Sequence, residues 1–228
     1  MRQPRTAPSQ LGRPVGADGE QTRARIITAA MRCVAEVGYS QATIREIARA
    51  ADMTSGSLYH YFPNKSELLK ATVKEIDEIA HPRLRAAAER ADDDVVDRLG
   101  AVLDESDRLM REYPHLAAFD RAMRAQSTAH RRGGRPRYSG LKALRDIIND
   151  IIEDARARGA LPPDTNPGAA VNAIYALTRG LTEQAANLPA EGYAATLGSA
   201  KELIRGTLFA QPASRPESTP QHRSTRDP

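Results

Sequence analysis

Tryptophan is missing from this 228-residue chain, and Tyr and Phe together supply only ten residues. So few rings leave an aliphatic, alanine-rich core, which suits helix packing better than a sheet sandwich. Cysteine is confined to Cys33, which excludes an internal disulfide and any cysteine-based zinc cluster. No apolar run approaches the ~20 residues a membrane helix needs. The first residues, Met-Arg-Gln-Pro-Arg, lack the apolar stretch of a secretory signal, so a reducing cytoplasm is the expected compartment. Catalytic signatures are missing too. His60, His81, His115, His130 and His222 show no His-x-x-x-His spacing, and no Gly-rich phosphate loop follows a strand. No enzyme activity, metal or cofactor is expected.

What is present is a charge asymmetry. The net charge is only +4, but residues 1–65 carry nine Arg or Lys against five Asp or Glu. Residues 66–210 carry 21 against 22, and residues 211–228 three against two. A basic front on a near-neutral body points to a polyanion partner for that front, or else to a solvated basic face.

Apolar residues recur at helical periods almost throughout, with hardly any strand alternation. Residues 1–19 are rich in Pro and Gly and read as a disordered basic arm, and residues 211–228 as a disordered tail. The expected helices run from about Glu20 to Val37 with Gly38 as the stop, from Thr43, from Thr54 to Tyr61, and from Asn64. Thr43 with Glu46, and Asn64 with Glu67, have capping-box spacing. Further helices follow Asp92-Asp93-Asp94 to Glu112, run from Pro114 to Gln126, and carry Leu141 to Ala155. The last two run from Pro167 to Asn187 and from Pro189 to Phe209. The fold class is all-α, with nine helices. Residues 20–66 form a head and residues 67–210 a helical body.

Residues 43–62 are two short helices joined by a tight turn, the second led by small polar residues and ending in aromatics. Four of the ten aromatics lie between Tyr39 and Phe62. Such a helix-turn-helix lays its second helix in the DNA major groove, where small residues permit close approach.

Residues 25–69 resemble the DNA-binding region of the tetracycline-repressor (TetR) family of bacterial regulators. Arg25, Ile26, Ala29, Ala30, Gly38 and Tyr39 match its first helix. Thr43, Ile47 and Ala48 match the second. Gly56, Leu58, Tyr59, Tyr61, Phe62, Lys65 and Leu68 match the recognition helix and its exit. Two positions depart from the pattern: Asp52 stands where Gly is common, and Ser55 where Lys is common.

The resemblance implies a nine-helix TetR-like architecture and a role for each matched residue. Thr43 would cap the second helix and bond a phosphate. Thr54, Ser55, Gly56 and Ser57 would face the groove. Tyr59 and His60 would contact backbone or base edges, and Lys65 a phosphate. Leu58, Tyr61 and Phe62 read as core, and Thr43 is also sufficient as a plain cap. Arg13, in Gly12-Arg13-Pro14, has the chemistry of a minor-groove arm or of an untethered tail. The basic segment 131–137 reads as a surface loop.

For the body, the resemblance implies an effector pocket and a homodimer through the last two helices. The apolar residues at that interface would be Tyr175, Leu177, Leu181, Leu188, Leu197, Leu203, Ile204 and Leu208. Phe119, Met123, Tyr138, Ile148 and Tyr175 are the candidate pocket positions, with His81, His115 and Arg179 adding polarity. An apolar or amphipathic small molecule would shift the fourth helix and release a palindromic double-stranded DNA operator. An effector-independent architectural factor, or a helical small-molecule-binding protein that does not bind DNA, stays open as an alternative.

Overall fold

Helix formation begins earlier than the sequence suggests. The computed structural model describes residues 15–91, 94–129 and 142–209. Arg13, Tyr138 and the 131–137 segment lie outside them. The first helix, α1, spans Val15–Gln41, so it takes in the end of the segment read as an arm. Its Ile26, Ile27, Ala30, Met31 and Val34 are all buried, as an i, i+3, i+4, i+7 face should be. Gly38 breaks α1 where a stop was expected, and a further turn beyond it reaches Gln41. The Gly38 φ of +83° leaves the helical region, a conformation glycine adopts without a Cβ penalty.

The next two helices are short and capped by side chains. In α2 (Ile44–Ala50), the Thr43 hydroxyl accepts from the Glu46 N–H at 3.2 Å while the Glu46 carboxylate accepts from the Thr43 N–H at 2.9 Å. The capping box therefore closes in both directions. Asp52, at φ +54°, makes the left-handed turn into α3 (Ser55–Tyr61). α4 (Lys65–Arg90) begins at Asn64, whose side chain accepts from the Glu67 N–H at 2.9 Å. Only half of the expected box forms there, and the Glu67 carboxylate pairs instead with Lys70 at 2.7 Å.

The body adds five helices. α5 is Val95–Glu112, capped by Asp94, and α6 is Leu116–Ala129. α7 is Lys142–Ala157, and α8 is Pro167–Ala185, capped by Asn166. α9 is Ala190–Arg205 and ends at Gly206 in the left-handed region, short of Phe209. Among the described residues there is no strand.

Packing ties head to body. α1 packs against α2, α4 and, most extensively, α6. One continuous core runs from Ile26 through Leu58, Leu84, Phe119 and Ile148 to Tyr175. A smaller cluster of Leu103, Leu181, Tyr193 and Leu197 joins α5, α8 and α9. Polar links fix the crossings. The mostly buried Glu105 of α5 accepts from Arg83 of α4 at 2.7 Å. Asp77 of α4 accepts from the Ala143 N–H at 3.1 Å and so caps α7. Pro82 lies inside α4 and removes the N–H that would reach the Glu78 carbonyl, which weakens the helix there.

Candidate functional site

The outer surface of α3 is built from what its core face leaves free. Leu58 is fully buried and Phe62 nearly so, and they anchor the helix to α1 and α2. The remaining positions turn outward. Tyr59 is 53% exposed and His60 is exposed beside it. Tyr61, expected in the core, is 40% exposed. The physical reason is the length of α3: in seven residues one side chain at the centre and one at the exit suffice to seat it.

The leading edge of α3 is small and polar. The Thr54 hydroxyl accepts from the Ser57 N–H at 3.1 Å and lies 2.9 Å from the Ser57 hydroxyl. Ser55 is half-buried and Gly56 exposed. A methyl group built on Gly56 would meet nothing closer than the Thr54 hydroxyl at 3.8 Å. Glycine inside a helix costs roughly 0.5–1 kcal/mol relative to alanine. The chain's own packing therefore gives no reason for glycine here, whereas close approach of a second molecule does.

Two residues assigned to phosphate contacts are committed inside the protein. The Thr43 hydroxyl donates to the Glu46 carboxylate at 2.8 Å. These bonds to Thr43 hold the Glu46 carboxyl below the usual range. Lys65 departs further from expectation. Its ammonium donates to the carbonyls of Tyr39 at 2.8 Å, Ala42 at 2.9 Å and Ser40 at 3.4 Å. It also sits 4.8 Å from the centre of the Tyr39 ring. Burial lowers its pKa. In the free protein Lys65 thus fastens α4 to the end of α1, where orphan carbonyls need donors, and does not point at an outside phosphate.

Arg45, which the sequence motif does not mark, offers a free cation on this surface. It is exposed on α2 and has no acidic partner among the described residues. Its position opposite the buried Ile47 and Ala48 was a signal available from the helical period.

The second feature is a cavity of about 60 Å³ between α4, α5, α6, α7 and α8. Leu84, Leu109, Met110, Leu116 and Leu144 form its aliphatic wall. Ser106, Asp120, Tyr175, Thr178, Arg179 and Thr182 form its polar side. Of the expected pocket residues that are described, only Tyr175, with Arg179 beside it, lines this space. Phe119 and Ile148 are locked in the core, where helix packing needs their bulk, and Met123 packs against that core from its edge. His81 lies in a groove between α4 and α7, and His115 in one against α1.

Helix-turn-helix geometry, an outward small-residue edge and a helical body with an internal cavity agree with the comparisons. The model of bacterial regulatory proteins of the tetR family matches residues 26–72. Residues 26–72 are thus a tetR-type DNA-binding head, and the chain is similar to TetR-family regulators over most of its length. The regulator TtgR of Pseudomonas putida is 29% identical over 181 residues, which cover 75% of this chain and 83% of TtgR. Salmonella enterica GusR superposes with a TM-score of 0.61 at 25% identity, over 88% of this chain and 99% of GusR. FadR of Bacillus subtilis, solved in complex with stearoyl-CoA, gives a TM-score of 0.65 at 21% identity, over 81% of this chain and 98% of FadR. The chain is accordingly a DNA-binding transcriptional regulator. No helix among its described residues is long and apolar enough to cross a membrane.

Some of the residues expected to pair copies are placed differently. Tyr175, Leu181 and Leu197 are buried within the chain's own core. Leu188 and Leu203 are exposed, and small exposed residues lie on both helices among polar and charged ones such as Asn172, Arg179 and Glu202. Ala173, Ala176 and Gly180 lie on α8, and Ala194, Ala195, Gly198 and Ser199 on α9.

Proposed function

We propose that the protein is a cytoplasmic, non-enzymatic repressor that binds a palindromic operator as a homodimer and leaves it when a small molecule enters the body cavity. The observation that carries the DNA reading is Gly56, a helical glycine exposed on α3 with no internal reason to lack a side chain. Thr54, Ser55, Ser57, Tyr59 and His60 supply the remaining groove contacts. Arg45 joins them as a backbone contact, and Lys65 sets the angle of the head.

Dimer formation is supported by the outer faces of α8 and α9. Gly180 and Gly198 have open space where a Cβ would stand, so helices of a second copy can approach closely. A two-fold pair of α3 helices then reads half-sites about one DNA turn apart.

Release follows from the cavity's size. About 60 Å³ holds roughly two waters, whereas ligand sites run to about 300 Å³ or more. A ligand must part the helices, so it selects a state with a displaced body. Two links carry that displacement to the head. α4 runs from the cavity to Lys65. α6 lines the cavity with Leu116 and Asp120, packs along α1, and places Gln126 3.2 Å from the Ser40 hydroxyl.

The test is selection of duplexes from a random pool by the full-length protein at several salt concentrations. A palindrome bound by two copies, and lost in Gly56→Ala and Tyr59→Ala, supports the reading. Salt-sensitive binding without sequence preference overturns it in favour of an architectural factor. Failure to retain any duplex favours a ligand-binding protein without a DNA role.

A further inference from the structure

The cavity's polar side has an excess of positive charge. Tyr175 lines it and lies within the electrostatic reach of three guanidiniums, those of Arg124, Arg145 and Arg179, and of one carboxylate, Asp120. The three cations are not equivalent. Arg124 is matched by Asp120 at 2.7 Å, and both are mostly buried, so that pair is internally neutral. Arg145 stacks 5.2 Å from the centre of the Tyr175 ring and donates to the Asn172 amide oxygen at 2.9 Å. An amide supplies no negative charge, and Arg145 has no acidic partner among the described residues. Arg179 reaches the cavity from the exposed side of α8 and has no acidic partner among the described residues.

The hydroxyls of the lining are poor competitors for a ligand acceptor. Ser106 donates to the Val102 carbonyl at 2.9 Å, Thr178 to the Tyr175 carbonyl at 2.8 Å and Thr182 to the Thr178 carbonyl at 3.1 Å. Each hydroxyl hydrogen is thus already used within its own helix. Arg179 is left as the strong donor of the lining, and its planar fork suits a carboxylate or a similar oxyanion.

We infer that the cavity takes an amphipathic small molecule with one anionic head group, its head at Arg179 beside Tyr175 and its aliphatic part against Leu84, Leu109 and Leu144. This inference rests on the reading of the cavity as the effector site. A cationic head is disfavoured because two uncompensated guanidiniums repel it. A head-free hydrocarbon would forgo the charge-assisted bond that Arg179 offers.

Three probes of equal tail length separate these cases: octanoate, octan-1-ol and octylammonium. Binding to the full-length protein is measured by titration calorimetry, since the chain has no Trp to report by fluorescence. Octanoate is expected to bind about tenfold more tightly than octanol, the worth of one charge-assisted bond, with octylammonium weakest. Arg179→Gln should bring octanoate to the level of octanol and leave octanol unchanged. A Leu109→Trp variant, which fills the cavity, should abolish binding of octanoate and octanol alike.

Octanol or octylammonium equal to or better than octanoate overturns the anionic head while leaving the cavity as a ligand site. Octanoate binding that is unchanged in Arg179→Gln overturns the placement at Arg179. Absence of binding by all three probes, or binding unaffected by Leu109→Trp, overturns both the inference and the cavity reading.

Discussion

The Lys65 ammonium lies 2.8 Å from the carbonyl oxygen of Tyr39 and 4.8 Å from the centre of the same residue's ring. One side chain at the first position of α4 thus holds the last turn of α1, just beyond the Gly38 kink. The consequence for DNA binding is geometric. Lys65 fixes the angle between the helix that reaches the cavity and the helix on which the recognition unit rests.

Lys65→Met should therefore lower stability by about 1–3 kcal/mol through the lost charge-assisted bonds. It should weaken operator binding without altering the salt dependence. A phosphate contact would instead reduce the salt slope by about 1. Affinity titrations at several salt concentrations, with a denaturation curve for each variant, decide between the two roles.

Gly56→Ala is expected to leave the fold intact and to raise stability by roughly 0.5–1 kcal/mol, because the added methyl meets only ordinary contact at 3.8 Å. Operator affinity should fall at least tenfold, since the methyl intrudes where DNA approaches. Equal affinity in the two proteins would remove Gly56 from the interface.

Exposure separates the aromatics of α3 from its anchor. Leu58→Ala should cost about 2–5 kcal/mol in thermal or chemical denaturation, being fully buried. Tyr59→Ala and Tyr61→Ala should each stay within about 0.5 kcal/mol of the parent. Loss of operator binding by Tyr59→Ala at unchanged Tm is the expected outcome. A large drop in Tm for Tyr61→Ala would return that ring to the core.

Acid should weaken the α4–α5 crossing through Glu105. Burial works to raise its pKa, but hydrogen bonds and charges from Arg83 and Arg108 outweigh burial and hold it below the usual carboxylate value. A depressed folded pKa gives stability that is present above the unfolded value of about 4.3 and lost as pH falls through the folded one. Glu105→Gln should flatten the acid limb of Tm against pH. Arg83→Gln should cost roughly 1–3 kcal/mol at neutral pH, a discounted figure because Arg83 is partly exposed and Arg108 remains. An unchanged acid limb in Glu105→Gln would place the acid sensitivity elsewhere.

Local rules made much of the fold legible. The Thr43–Glu46 box, the left-handed Asp52, Pro167 opening α8 and the buried stripe of α1 all follow from interactions within a few residues. Helix ends that depend on distant partners were less legible. Local composition gave no sign that α1 starts at Val15, and the Pro and Gly of the preceding residues disguised it. Phe119 and Ile148 were plausible as pocket residues because an apolar side chain carries no mark of whether it faces a void or a neighbour.

By itself the sequence determined an all-α chain, a helix-turn-helix at residues 43–62 and a family resemblance, because periodicity, capping and a contiguous motif are properties of neighbouring residues. Only the tertiary structure decided what each polar group is free to do. Lys65 turned inward because the end of α1, far back in the chain, presents its carbonyls to it. Tyr61 turned outward because Leu58 and Phe62 already fill the seat of α3. Among the described residues Arg179 was left without an acid while Arg124 found Asp120. Such competition for partners is settled by which helices cross, and that information is spread over the whole chain.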